Sequence, residues 1–139
     1  MEFLRRLDRM LAELVSAPAT ANAMGWIARS LVGLIFVVAG YHKLGAGYAG
    51  TSAYMESMGV PGVLLPLVIL LELGGGLALI AGFQTRLVAL LLALFCVAAA
   101  FLFHTNLADK MQQIMFMKNL AIAGGLLAFT LYGGKSEAG

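Results

Sequence analysis

The sequence predicts an all-α integral membrane protein: a four-helix bundle with an N-terminal amphipathic helix at the interface and a short surface helix between spans 1 and 2. Three observations carry this. Apolar runs recur at about 23–44, 61–83, 86–104 and 113–133. Each has the ~20 residues that a helix rising ~1.5 Å per residue needs to cross the ~30 Å hydrocarbon core of a bilayer. Hydrophobic residues make up 61% of the chain and charged residues 12%, against about 25% charged in a soluble domain. The first sixteen residues are different in kind, because they alternate apolar and charged residues at helical spacing.

In that N-terminal stretch Phe3, Leu4, Leu7, Met10, Leu11, Leu14 and Val15 fall on one face. Arg5, Arg6, Asp8, Arg9 and Glu13 fall mostly on the other. Such a helix lies in the plane of the interface. It does not read as a signal peptide, because charges interrupt every apolar stretch. Pro18 closes it, dividing the chain into residues 1–18 and a four-span domain over 19–139.

The first span carries Trp26 near its start and Tyr41 near its end, as interfacial aromatics do. Arg29, Gly33, Phe36, Gly40 and Lys43 form one helical stripe along it. Arg29 is equally suited to reaching back toward headgroups and to a polar interior site. The connector 45–61 begins with Gly45, Gly47 and Gly50; Thr51 reads as the N-cap of a short helix over 52–58 that ends at Gly59. Its Tyr48, Tyr54, Met55 and Met58 place it on the membrane surface. A tight turn through Gln84 joins the second span to the third, whose small-residue stripe is Ala89, Ala93, Cys96 and Ala100, ending at His104. Residues 105–112 read as a polar loop. The fourth span's stripe is Lys118, Ala121, Gly125 and Ala128, with Asn119 alongside, and the tail after it reads as disordered.

With the second span's stripe of Glu72, Gly75, Leu79 and Gly82, the four stripes are expected to meet in a common interior. Gly33, Gly40, Gly75, Gly76, Gly82 and Gly125 serve there as close-packing positions, since small residues let membrane helices approach. Positive residues divide unevenly between the two sides, with Arg5, Arg6, Arg9, Arg29, Arg86 and Lys135 on one and Lys43, Lys110 and Lys118 on the other. That bias puts both termini in the cytoplasm.

Glu72 is the one charge in the second span. An ionisable group at mid-bilayer is costly unless it is paired, protonated or wetted. From estimated depths, Lys118 is the expected partner and Lys43 the second choice. Two readings stay open: Glu72 pairs with a cation to fix the bundle, or Glu72, Lys43, His104 and Lys118 line a cavity for a small ligand or a proton path. With two histidines and one cysteine, Cys96, the chain has too few ligands for an ordinary zinc or haem site and cannot form an internal disulfide. No metal site is expected and no cofactor is evident. A net charge of +2 does not suggest a nucleic-acid partner. No nucleophile triad, paired carboxylates or phosphate loop is present.

Several motifs in order resemble the DoxX family. They are Arg29 opening the first span, Gly40 three residues before Lys43, and Gly59, Val60 and Pro61. Glu72 followed by Leu73 and three glycines, then the run from Gly82 to Arg86, His104, and the stretch from Phe116 to Leu120 complete the resemblance, which covers about residues 24–134. It implies a small multi-pass protein of the bacterial inner membrane. It further implies a membrane subunit or anchor of an oxidoreductase or stress-related assembly, with a membrane or cytoplasmic oxidoreductase partner and a quinone as ligand. Some members are associated with a thiosulfate:quinone oxidoreductase, others with complexes managing oxidative or thiol stress. The alternatives from the residues themselves are a translocator of a small ligand, ion or proton, and a structural, partner-binding membrane protein. Whether the chain is an enzyme, and whether it forms a homo-oligomer, stays open.

Overall fold

The computed structural model describes residues 1–133. The expected tail and Lys135 lie mostly or wholly outside the described residues. All regular structure within them is helical.

The N-terminal helix runs Glu2–Ser16, with none of its residues buried by the rest of the chain. Ala17, in extended conformation, breaks it from the first span, Pro18–His42. This span starts about a turn before the predicted position because Pro18 sits in the first helical turn, where its missing N–H costs nothing. Trp26 and Tyr41 are both exposed near its ends.

The connector helix runs Ala46–Ser57 and is longer than predicted. Its N-cap residue is Gly45, at φ 56°, a conformation that glycine adopts without penalty. Thr51 is therefore not the cap; it sits in mid-helix and donates its hydroxyl to the Gly47 carbonyl at 2.8 Å. Gly59, at φ 80°, ends the connector as predicted.

The second span, Gly62–Ala81, is helical throughout but changes its winding. It opens with a 3₁₀ turn over Gly62–Leu64, continues as α-helix, widens to a π turn over Leu70–Gly74 and returns to α-helix over Gly75–Ala81. Gly82, at φ 77°, and Gln84, at φ 47°, turn the chain into the third span, Thr85–Phe103. The fourth span is Lys110–Tyr132. It begins three residues before the predicted start, because the Asp109 carboxylate accepts N–H bonds from Met111 and Gln112 at 2.8 and 3.2 Å. That is an N-cap the reading of 105–112 as loop overlooked.

Spans one and two pack closely on each other, as do spans three and four. The two pairs meet through Phe36, Leu79, Leu92, Cys96 and Leu126. A second cluster, in which Met55 of the connector helix covers Leu65 and Ile69, closes the connector end. Large exposed side chains such as Leu31, Leu67, Leu70, Leu94 and Leu131 ring the outside, which suits lipid as solvent.

Spans one and two cross where neither has a side chain. A Cβ on Gly33 would stand 2.8 Å from the Gly76 carbonyl oxygen, and one on Gly76 would stand 2.8 Å from that of Gly33. Gly75 lies against Leu92, 3.2 Å from where its Cβ would be. Two of the glycines expected to pack do something else. Gly82 is the left-handed cap of its span. Gly125 has open space where a side chain would go, as the buried face of the fourth span is Ala123 and Leu126. The stripe of Lys118, Ala121, Gly125 and Ala128 is exposed, so only three of the four predicted stripes turn inward. Adjacent residues on a helix point about 100° apart, so a buried Leu126 turns Gly125 away.

Candidate functional site

The π turn holds the site's central residue. Glu72 lies within Leu70–Gly74, and π turns re-aim side chains where they interrupt an α-helix. The widened backbone is accommodated because Gly40 faces it: a Cβ on Gly40 would lie 2.8 Å from the Leu73 nitrogen. One turn beyond Gly40, Lys43 caps the first span and reaches Glu72, with Nζ 2.7 Å from Oε2. The ammonium also donates to the Ala39 carbonyl at 3.3 Å, and a cation at a helix C-terminus complements the helix dipole. The Glu72 side chain is 6% exposed and that of Lys43 23%. The pair thus sits at a protein interior, open on the lysine side.

The pair borders a cavity of about 520 Å³ between the two helix pairs, in the half of the bundle nearest the connector helix. Apolar side chains dominate its walls, among them Phe36, Met55, Phe95, Leu102, Met115 and Ile122. The polar contributors are Lys43, Thr51, Tyr54, Glu72, Cys96, His104, Lys118 and Asn119. Ile35 and Lys118 line the cavity yet remain exposed, so it is not sealed.

Of the six polar residues singled out in the sequence, the structure brings five, Glu72, Lys43, Lys118, His104 and Asn119, to this one cavity. Their contacts differ. His104 ends the third span, and its Nδ1 lies 3.0 Å from the Gln112 amide oxygen, which Asp109 places by capping the fourth span. Asn119 is half-buried and donates to Met115 of its own helix at 2.9 Å. Lys118 is exposed and makes no ion pair among the described residues. The expected Glu72–Lys118 pair is therefore replaced by Glu72–Lys43.

Arg29 is the residue that does not join. It is 1% exposed, lies outside the cavity, and donates Nε to the Leu79 carbonyl at 3.1 Å, near the end of the second span. It neither reaches toward headgroups nor approaches Glu72; it ties the first span to the second on the far side of the Gly33–Gly76 crossing. Arg86 does similar work at that end, donating to the Leu131 carbonyl at 2.8 Å and joining the third span to the fourth.

Sequence reasoning missed Tyr54, Met55 and Gln112 as site residues. Tyr54 stacks on Phe103 with ring centroids 5.7 Å apart, bringing the connector helix against the end of the third span. The signal was the cluster of Tyr and Met in a connector otherwise made of small residues. Cys96, expected to be a packed hydrophobe, is 1% exposed in the core and also touches the cavity.

These features define a class: a multi-pass, four-span helical membrane protein with an apolar cavity bordered by one buried ion pair. The sequence pattern of the DoxX family matches residues 25–105, and the chain belongs to that family. The match takes in Lys43, Glu72 and His104 and stops before the fourth span. The chain is 55% identical over 107 residues to the inner membrane protein YqjF of Escherichia coli, a match covering 77% of this chain and 82% of that protein. It is 34% identical over 114 residues to the inner membrane protein YphA of the same organism, covering 77% and 81%. A putative oxidoreductase of Bacillus subtilis, CatD, is 35% identical over 71 residues, covering 51% of this chain and 52% of its own length. No solved structure matches. The chain is accordingly a multi-pass inner-membrane protein.

Proposed function

We propose that this chain is a membrane subunit or anchor of an oxidoreductase or stress-related assembly, and that its cavity takes up a small lipophilic molecule beside the Lys43–Glu72 pair. The observation that carries the reading is the cavity itself. Its volume of about 520 Å³ falls in the range of ligand pockets, roughly 300–1,000 Å³, and pockets of that kind combine apolar walls with a few placed polar groups. A purely structural pair has no need of adjoining empty space. The family resemblance points to a quinone as the ligand, and the oxidoreductase name of the Bacillus relative supports a redox setting. The Lys43–Glu72 pair offers a donor and an acceptor to a carbonyl or hydroxyl head.

The test is photolabelling in membrane vesicles with an azido-quinone. The label should map to Cys96 or Met115, which line the cavity and are not exposed, and excess unmodified quinone should remove it. Labelling confined to the outer leucines, such as Leu31 and Leu131, would show quinone in the surrounding lipid only and defeat the proposal.

A further inference from the structure

We propose that Lys118 makes the cavity a site for lipophilic weak acids, molecules with an apolar body and a single carboxylate. This rests on reading the cavity as a ligand site and adds the charge its occupant must carry.

The argument starts from the cavity's charges. Lys43 is neutralised by Glu72 at 2.7 Å. Lys118 lines the same cavity and has no anionic partner among the described residues. Neither described acid in the adjoining segments supplies one. The Asp109 carboxylate is engaged by the first backbone N–H groups of the fourth span, and Glu56 on the connector helix is exposed and does not line the cavity. Among the lysine and acidic side chains that line the cavity, two are cations, Lys43 and Lys118, and one is an acid, Glu72.

Its position makes that charge costly. The fourth span begins at Lys110, so Lys118 lies ~12 Å along the helix at the standard rise, well inside a hydrocarbon layer of ~30 Å. A cation at that depth is expensive unless it is paired or wetted, and Lys118, which is exposed as well as lining the cavity, has no pairing among the described residues. The neighbouring Asn119, whose amide donates to the Met115 carbonyl, is neutral and supplies no counter-charge. A carboxylate is the complement that an ammonium with three free donors lacks.

The rest of the cavity fixes the remainder of the ligand. Phe95, Leu102, Met115 and Ile122 give the cavity that Lys118 lines apolar walls, so the body of the occupant is hydrocarbon or aromatic. A molecule of this class dissolves in the bilayer as the neutral acid and binds as the carboxylate, its proton passing to solvent.

The experiment uses the full-length protein in a nonionic detergent, with the fluorescent long-chain acid cis-parinaric acid as probe and dodecanoate, dodecanol and a short-chain quinone as competitors. Wild-type protein should bind the acid, and dodecanoate should displace it about tenfold or more better than dodecanol, the size of effect one charge-assisted hydrogen bond supports. Lys118→Met should abolish that preference and Lys118→Arg should keep it. Equal displacement by acid and alcohol, or a preference unchanged in Lys118→Met, overturns the proposal; displacement by the quinone in the same assay would leave the cavity reading standing. If neither the acid nor the quinone binds, the cavity is not a ligand site and both proposals fall.

Discussion

Lys43 and Glu72 meet at 2.7 Å because Gly40, one turn before the lysine, lets the widened turn that carries Glu72 lie directly against the first span. The motif of a glycine three residues before a lysine and the motif of a glutamate before three glycines are thus two halves of one contact. Neither half has a reason in isolation.

Removing one partner leaves the other buried and unpaired, which typically costs about 3–5 kcal/mol, while removing both costs far less. Glu72→Gln and Lys43→Met should each lower stability on that scale. The double variant should recover much of the loss in detergent unfolding followed by circular dichroism. Lys118→Met should leave stability near wild type. Strictly additive losses in the double variant would mean that the two residues do not act as a pair.

The Gly33–Gly76 crossing and the open position at Gly125 call for opposite outcomes from the same substitution. Gly76→Ala drives a methyl group toward the Gly33 carbonyl oxygen, 2.8 Å away, where backbone must move; overpacking of this kind costs about 1–3 kcal/mol. Gly125→Ala meets nothing within 4 Å and should leave stability unchanged or improve it slightly. Unfolding of the two variants side by side decides the matter, and a destabilised Gly125→Ala would show that this face is covered in the assembled protein.

The spans were readable because bilayer thickness dictates their length, and the first span's inner face was readable because Arg29, Gly33, Phe36 and Gly40 stand out against Leu and Val. The fourth span resisted the same reading. Its small and large apolar residues are spread evenly around the axis, so Ala121 and Gly125 looked as much like a packing face as Ala123 and Leu126. The identity of Glu72's partner was out of reach for another reason. Depth arithmetic along regular α-helices favoured Lys118, whereas the 3₁₀ turn at Gly62–Leu64 and the π turn at Leu70–Gly74 change the rise and facing of the second span without a pattern in residue type. The charged residues of the cavity, Lys43, Glu72 and Lys118, are nonetheless recoverable, because ionisable groups in an apolar run are conspicuous wherever they point.

Asp109 has a consequence beyond its own helix. By capping the fourth span it starts that helix early enough for Gln112 to reach His104. Asp109→Ala should cost about 1 kcal/mol, as lost N-caps do. It should also raise hydrogen exchange at the first turn of the fourth span and shift the His104 ring resonances. Unchanged His104 resonances would separate the cap from the cavity.

Orientation in the membrane rests on charge, and the fold sharpens the count. Arg29 is buried against Leu79, and Lys43 and Lys118 belong to the cavity; none of these is a flanking charge of the kind that controls topology. What remains is Arg5, Arg6, Arg9, Arg86 and Lys135 on the terminal side against Lys110 on the other. Both termini should therefore lie in the cytoplasm, with the N-terminal helix resting its Phe3, Leu7, Met10 and Leu14 face on the inner surface. That helix is attached outside the bundle, with no buried residue of its own. Deleting it should leave all spans inserted, because each satisfies the length requirement alone. In intact cells, with Cys96 replaced, a cysteine at Asn106 should react with a membrane-impermeant maleimide and a cysteine at Lys135 should not. The reverse pattern would invert the topology. Loss of the Asn106 signal on deleting residues 1–16 would show that the N-terminal helix helps to set the topology rather than merely lying on the membrane.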